Sequence, residues 1–202
     1  MFYGRPAYRN PARTRPIKDV SYCPVCFVFR PLGSLPLKRI YPFDTGACDR
    51  DFYKPEISKA KGLAEYQVPA VMENARGIID GFFETNDKYM KGEARVGMVF
   101  AAKDAAAKAY HKLIAGGGKQ ECDDRKSAVE IQSDHYADLS KDLLAVVLPT
   151  SFLDDEQLRA TLMTVWRAHP LTYDITIGMR PTEFHGAIRA LIHDYYRQWR
   201  LI

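Results

Sequence analysis

Three kinds of apolar pattern follow one another along this chain, and their order restricts the possible fold more than any other feature. Residues 20–30 are a continuous apolar run rich in aromatic and β-branched side chains, as in a buried strand. Residues 70–83 place apolar side chains at helical intervals, and residues 143–149 are strand-like again. The last segment, from about Thr182, carries one apolar helical face. Because strands and helices do not alternate regularly, this order predicts an α+β fold with a mixed or antiparallel sheet core, a helical middle segment and a C-terminal amphipathic helix.

Shorter patterns predict the elements between these segments. The alanine-rich stretch 101–115 is a strong helix former that stops at three consecutive glycines. By the same reasoning we expect, in chain order, a short strand at the start of residues 37–53, a helix over 56–66, a strand over 95–100, a strand over 127–132, a helix from about Asp154 to His169 and a strand over 171–178.

Positive charge is concentrated at the beginning of the sequence. The chain has 29 Lys and Arg against 25 Asp and Glu, a net charge of +4. The first 19 residues account for all of it, through Arg5, Arg9, Arg13, Arg15 and Lys18 against Asp19. The sequence therefore predicts a basic, proline-rich arm over residues 1–19 and a single α+β domain over residues 20–202, a length that suits one core. Arg13 and Arg15 are candidates to bind the phosphates of nucleic acid or a partner protein, although the arm is equally consistent with a solvated terminus.

The sequence gives little indication of a membrane protein or of a metal-binding protein. No run approaches the roughly 18 apolar residues that span a bilayer, and the first residues contain no apolar signal core, so we expect a cytoplasmic protein without a membrane partner. Cys23 and Cys26 form one C-x2-C pair with no second pair to complete a zinc site. We expect these thiols to pack as small hydrophobic groups and expect no metal, with a metal site at Cys23 and Cys26 as the alternative.

Glu130 is the strongest candidate for a catalytic group. Strand alternation places Ala128, Glu130 and Gln132 on one face, opposite Val129 and Ile131. A carboxylate that follows a flexible loop at the head of a strand is held rigidly while the loop accepts a substrate. The same pattern also fits an edge strand with a solvated polar face.

A second group of candidates combines aromatic and basic side chains. Arg30 ends the first apolar run, and Arg39, Tyr41, Phe43 and Asp44 follow in the next segment. Arginine binds pyrophosphate through paired hydrogen bonds, and tyrosine or phenylalanine stacks on a base or nicotinamide, so these residues suit a dinucleotide site. Alternatively the rings belong to the core, Arg30 extends along the surface and Asp44 caps its own turn.

The order of these features resembles the NAD-dependent ADP-ribosyltransferase fold, most of all the DarT-type enzymes that modify nucleic acid. The matching segments are CFVFRP at 26–31, GGGKQECDDRK at 116–126 and AVEIQ at 128–132, followed by LLAVVLP at 143–149. The resemblance implies an aromatic strand ending in arginine, a substrate-recognition loop, and a strand that carries the catalytic glutamate. It covers roughly 30 residues, and the family's early His-and-Asn cofactor segment has no counterpart here.

Several residue roles follow from this resemblance alone. Glu130 would stabilise the oxocarbenium-like ribosyl transition state, with NAD as co-substrate and a nucleic acid or protein as acceptor. Arg30 would contact the acceptor or the cofactor phosphates. The loop and its strand would supply substrate-binding residues, namely Lys119, Arg125 and Gln132, of which Gln132 stands where protein-modifying relatives have a second glutamate.

Two other functions remain open on the sequence. The chain could be a non-catalytic module that binds nucleic acid or a protein through its basic arm and aromatic surfaces, in which case Glu130 is dispensable. It could also be a small nuclease in which Asp44 and Glu130 bind a metal ion, although the lysine expected two residues beyond Glu130 is replaced by Gln132.

Overall fold

The computed structural model describes residues 1–8, 16, 19, 23–30, 35–57, 62–116 and 123–200. Contacts divide the chain into two compact units. Unit 1 comprises Met1–Arg9 and Leu37–Asp134, and unit 2 comprises Asn10–Pro36 and His135–Ile202. Both units combine strands with helices, so the predicted α+β class is confirmed.

Unit 1 is organised around a short antiparallel ladder. Strand β2 (Arg39–Tyr41) pairs with strand β3 (Glu130–Gln132), and Tyr41 lies opposite Glu130. Backbone bridges extend the ladder on both sides, from Phe2 to Glu130 and from Val68 to Ile40. The residue that carries the candidate carboxylate is therefore held between two neighbouring segments.

Short helices surround this ladder. A helix begins at Thr45 because Asp44 accepts a hydrogen bond from the Ala47 amide, which satisfies one of the free amides of the first turn. The helix Asn86–Lys91 is followed by the cap residue Gly92, whose φ of 74° favours glycine, and a Cβ there would lie 3.1 Å from the Arg5 guanidinium. The α-helices of unit 1 are α1 (Thr45–Asp49), α2 (Met72–Phe82), α3 (Asn86–Lys91) and α4 (Ala105–Ile114), with 3-10 turns at Ala64–Tyr66 and Asp124–Ser127.

The core of unit 1 is largely aromatic. Phe43 has no exposed surface, and its ring contacts Tyr53 at 5.5 Å and Tyr66 at 5.2 Å between ring centroids. Tyr110 packs beside Phe43 and edge-on to Phe82. Such pairs contribute about 0.5–1.5 kcal/mol each beyond the burial of their area.

A buried arginine joins the first residues of the chain to this core. Arg5 is only 4% exposed, although its charge groups it with the basic arm. Its guanidinium donates to the carbonyl oxygens of Tyr89 and Asp124 and to Ser127 Oγ, the last two at 3.0 Å. It also lies over the Tyr89 ring. Charge-assisted hydrogen bonds of this kind offset the cost of burying the cation.

Unit 2 contains a three-stranded mixed sheet. Its central strand β4 (Leu143–Pro149) pairs antiparallel with β1 (Cys26–Phe29) and parallel with β5 (His169–Tyr173). The register shifts between Val28 and Phe29, which marks a bulge in β1. Because β4 and β5 are parallel, the chain between them must cross over one face of the sheet.

Helical segments lie before β4, in the crossover from β4 to β5, and after β5. They are α5 (Leu139–Asp142), a 3-10 turn at Thr150–Asp154, α6 (Glu156–Ala160), a π-helical turn at Thr161–Val165 and α7 (Pro181–Gln198). Leu162 and Ala168 of the crossover pack on Leu143, Val146 and Leu148 of β4. Within the described residues, every helix is too short or too polar to reach across a lipid bilayer.

Most of the predicted elements are present, and two are not. The strand predicted over residues 95–100 is wrong: this segment is irregular, and Val96 and Val99 are 90% and 95% exposed. Its composition favours a strand, but a strand also needs a paired neighbour. The helix predicted over 56–66 is also absent from the described part of that segment, which contains only the 3-10 turn at Ala64–Tyr66.

We expect Arg5→Met to lower the free energy of unfolding by about 3–5 kcal/mol. The change leaves three buried oxygen acceptors without their charged donor. The exposed Arg50 is the matched control, and Arg50→Met should stay within about 0.5 kcal/mol of wild type. Urea unfolding of both variants measures the difference, and equal midpoints would contradict the role of Arg5.

Stability should also fall above pH 10. Burial raises the pKa of Tyr110 well above its ordinary value of about 10, so the unfolded chain releases this proton first. The stabilisation is complete below pH 10 and decreases by about 1.4 kcal/mol for each pH unit above it. Tyr110→Phe removes a hydroxyl that has no hydrogen-bond partner among the described residues. Urea unfolding between pH 8 and 12 should therefore show a shallower decline for Tyr110→Phe than for wild type, and parallel curves would refute this.

Candidate active site

The β2–β3 ladder places four candidate residues of unit 1 on the same face of the two strands. Residues directly opposite in an antiparallel ladder project to the same side, so Tyr41 and Glu130 share a face, and so do Arg39 and Gln132. The intervening Ile40 and Ile131 project to the other side and are buried. The predicted alternation of polar and apolar faces is confirmed for this strand.

The carboxylate of Glu130 is fixed by two donors. Its Oε2 accepts from the Thr45 amide at 2.7 Å, and its Oε1 accepts from Gln132 Nε2 at 3.2 Å. Gln132 Nε2 also donates to Thr45 Oγ1 at 3.2 Å. The carboxylate is half-buried, and its direction is therefore set by the first amide of α1 and by its own strand.

The turn between β2 and α1 explains why this amide is available. Pro42 follows the strand, and Asp44 begins the helix by accepting from the Ala47 amide at 2.9 Å through Oδ1. A Cβ at Gly46 would lie 3.1 Å from that oxygen, so glycine leaves room for the cap. The Thr45 amide is left for Glu130, since the first amides of a helix have no partner within the helix.

Arg125 connects Asp44 to a second, buried carboxylate. Its Nη1 donates to Asp44 Oδ2 at 3.2 Å, while its Nε and Nη2 donate to the two oxygens of Asp123 at 2.9 and 2.8 Å. The Asp123 side chain is 2% exposed. The hydrogen bonds that Arg125 donates to Asp123 raise the pKa of this guanidinium above its ordinary value, so Arg125 carries a permanent charge.

Negative charge exceeds positive charge in this cluster. Asp44, Asp123 and Glu130 are three carboxylates, and Arg125 is the guanidinium hydrogen-bonded to two of them. Partly buried charges are screened less than exposed ones. The arrangement therefore favours a group that is positively charged or becomes so during a reaction.

Tyr41 and Phe43 are buried, so neither ring has a free face on which a base or nicotinamide could stack. The Tyr41 hydroxyl donates to Gln67 Oε1 at 3.0 Å, and the residue is 5% exposed. Phe43 has no exposed surface. In this structure both rings contribute to the core beneath the site, while Asp44 presents its carboxylate to Arg125.

The remaining candidates either belong to unit 2 or lie outside the described residues. Arg30 belongs to unit 2, where it is exposed and its Nε donates to the Lys141 carbonyl at 3.1 Å. Arg13, Arg15 and Lys119 lie outside the described residues.

Two members of the cluster, Thr45 and Asp123, were not singled out by the sequence analysis. An aspartate that caps a turn, as in the alternative given for Asp44, also indicates the start of a helix, and a helix start there leaves a free amide at Thr45. Asp123 precedes Arg125 by two residues in a polar loop, where no local pattern distinguishes it from its neighbour Asp124.

The thiol of Cys48, in α1, is not available as a nucleophile near neutral pH. Burial raises the pKa of Cys48 to about 11, so its thiol is protonated near neutral pH and unreactive. Across the described ranges, no three His, Cys, Asp or Glu side chains are grouped so that they could hold a metal ion.

Comparisons of the chain with protein-family models, with curated proteins and with solved structures found no match.

Two substitutions at Asp44 separate its role as a helix cap from its role as a partner of Arg125. Asp44→Asn keeps an oxygen for the Ala47 amide but removes the charge that faces Arg125, and should cost about 1 kcal/mol. Asp44→Ala removes both interactions and should cost about 2 kcal/mol. Urea unfolding compares them, with Asp80→Ala, which changes an exposed aspartate of α2, as a control that stays near wild type. Equal losses for Asn and Ala would show that the cap contributes nothing.

Proposed function

We propose that this chain is an ADP-ribosyltransferase-like enzyme that transfers ADP-ribose from NAD to a nucleic acid or protein acceptor, with Glu130 as its catalytic carboxylate. The observation that carries the proposal is the fixed direction of this carboxylate, which accepts from Thr45 and Gln132 on the face shared with Tyr41. The resemblance of the loop and strand around Glu130 to DarT-type enzymes adds to it.

The proposed reaction breaks the bond between C1′ of the ribose and the nicotinamide nitrogen. Nicotinamide leaves with the bonding electrons and becomes neutral, and the ribosyl group carries the positive charge until an acceptor oxygen or nitrogen attacks C1′. The acceptor loses its proton to solvent or to a nearby base. In the proposal Glu130 stabilises the ribosyl cation, because a preorganised negative charge acts where positive charge develops.

The other charges of the cluster suit this chemistry. Asp44 and Asp123 add to the negative potential, and Arg125 holds both carboxylates by hydrogen bonds. Gln132 orients Glu130 without adding a second charge beside it. Because these charges are already oriented, they need to move little when the ribosyl cation forms.

The same face also offers a group for the phosphates. Arg39 lies opposite Gln132 in the ladder and is exposed. In the proposal its guanidinium binds the pyrophosphate of NAD, which arginine does through paired hydrogen bonds. The Arg39 guanidinium would then lie at one end of this face and the carboxylates at the other.

Glu130→Gln tests the proposal with little effect on folding. The amide is isosteric and keeps an oxygen for the Thr45 amide, so unfolding by urea should change by less than about 1 kcal/mol. We expect release of nicotinamide, and transfer of label from NAD, to fall by about 100- to 1,000-fold. Glu93→Gln changes an exposed glutamate of the same unit and should retain full activity.

Wild-type protein must first be incubated with labelled NAD and a mixture of single-stranded DNA, RNA and protein acceptors. If it neither transfers label nor releases nicotinamide, the proposed reaction is wrong. If activity survives in Glu130→Gln at the level of Glu93→Gln, the reaction stands but Glu130 is not its catalytic group.

A further inference from the structure

A group of aromatic and cationic side chains surrounds Tyr195 in unit 2. The His169 ring is stacked against Tyr195 at 5.8 Å between centroids, with 22° between the planes. The Trp199 ring lies 6.1 Å from Tyr195. Arg30 is close enough to act electrostatically on the Tyr195 hydroxyl. Strand β1, strand β5 and the end of α7 thus contribute to one surface, which we call the Tyr195 surface and define as Arg30, His169, Tyr195 and Trp199.

Trp199 is the most unusual member of this surface. It is 59% exposed at the end of α7, while Tyr195 below it is 6% exposed. The Trp199 ring thus lies beside a buried ring, at 50° to it, while most of its own surface is open to solvent. Large aromatic rings of this kind are enriched where proteins bind partners.

Basic residues outnumber acidic ones along the part of α7 that leads to Trp199. The last three turns of α7 and the residue that follows Trp199 contain three arginines, Arg189, Arg197 and Arg200, against one acid, Asp194. Arg30 and Lys141 are both exposed on the β1 side, where Lys141 is paired with Asp138 at 3.1 Å. Asp138 and Asp142 balance these two cations, so the net positive charge of the neighbourhood comes from the end of α7.

We infer that the Tyr195 surface binds single-stranded nucleic acid, with a base stacked on Trp199 and phosphates bound by Arg30 and Arg200. Exposed rings set among arginines are the combination that such strands require, because bases stack on the rings while phosphates pair with the guanidinium groups. An acidic peptide would use the charges but leave the exposed indole without a flat partner. The inference does not depend on the chemistry proposed for Glu130, which belongs to unit 1.

Intrinsic fluorescence provides a direct test, because the chain contains only two tryptophans. In the Trp166→Phe background the emission comes from Trp199, and titration with a 20-nucleotide oligothymidylate should quench it. Binding measured by anisotropy of the labelled oligonucleotide should weaken by about 5- to 150-fold in Trp199→Ala, and much less in Trp199→Phe, which keeps a stacking ring.

Salt dependence tests the arginines. Arg30→Gln should lower the slope of log Kd against log salt concentration by about 0.7, as expected for one lost phosphate contact to a single strand. The exposed Arg159 of α6 is the matched control, and Arg159→Gln should bind as wild type does. Glu93→Gln, which changes an exposed acid of unit 1, should also bind as wild type does. The readout is oligonucleotide binding without NAD, so it does not depend on the proposed enzymatic activity.

Three results would overturn the inference. The first is that wild-type protein, at concentrations up to about 10 µM, does not bind the oligonucleotide in 50 mM salt. The second is that the oligonucleotide binds but leaves the emission of Trp199 unchanged, which would place the strand elsewhere. The third is that a polyglutamate peptide displaces the labelled oligonucleotide as well as unlabelled oligonucleotide does, which would make the partner an acidic peptide. Near-ultraviolet circular dichroism of Trp199→Phe confirms that the surface is still folded.

Discussion

The hydrogen bond from the Thr45 amide to Glu130 is the contact on which the organisation of the candidate site depends. It joins the first turn of α1 to strand β3, 85 residues later in the sequence. The amide is available because Asp44 occupies the cap position, and the carboxylate is in reach because Tyr41 pairs with Glu130. One short helix and one two-stranded ladder thereby fix the direction of the candidate carboxylate.

The charges near this contact are distributed unevenly. Arg125 spans Asp44 and Asp123, so the guanidinium holds two carboxylates in place. The third carboxylate, on Glu130, is held by uncharged donors. A site of this kind stabilises a cation that forms within it, and this is why ribosyl transfer is the reaction we favour over one that uses a thiol.

The sequence predicted several elements correctly because their signals are local. The run over residues 143–149 and the apolar face of α7 are long and regular, and both elements are present. The strand that carries Glu130 was also found, from alternation over a few residues. The segment 95–100 was predicted wrongly because strand propensity says nothing about whether a neighbouring strand is present to pair with it.

By itself, the sequence determined the α+β class, the strand position of Glu130 and the turn at Asp44, since each depends on residues a few positions apart. Only the tertiary structure decided that the Thr45 amide donates to Glu130 while the neighbouring Asp44 pairs with Arg125, and that Arg30 belongs to a different compact unit. The physical reason is that hydrogen bonds between residues distant in the sequence depend on how strands pair and helices begin. No spacing along the chain records that pairing.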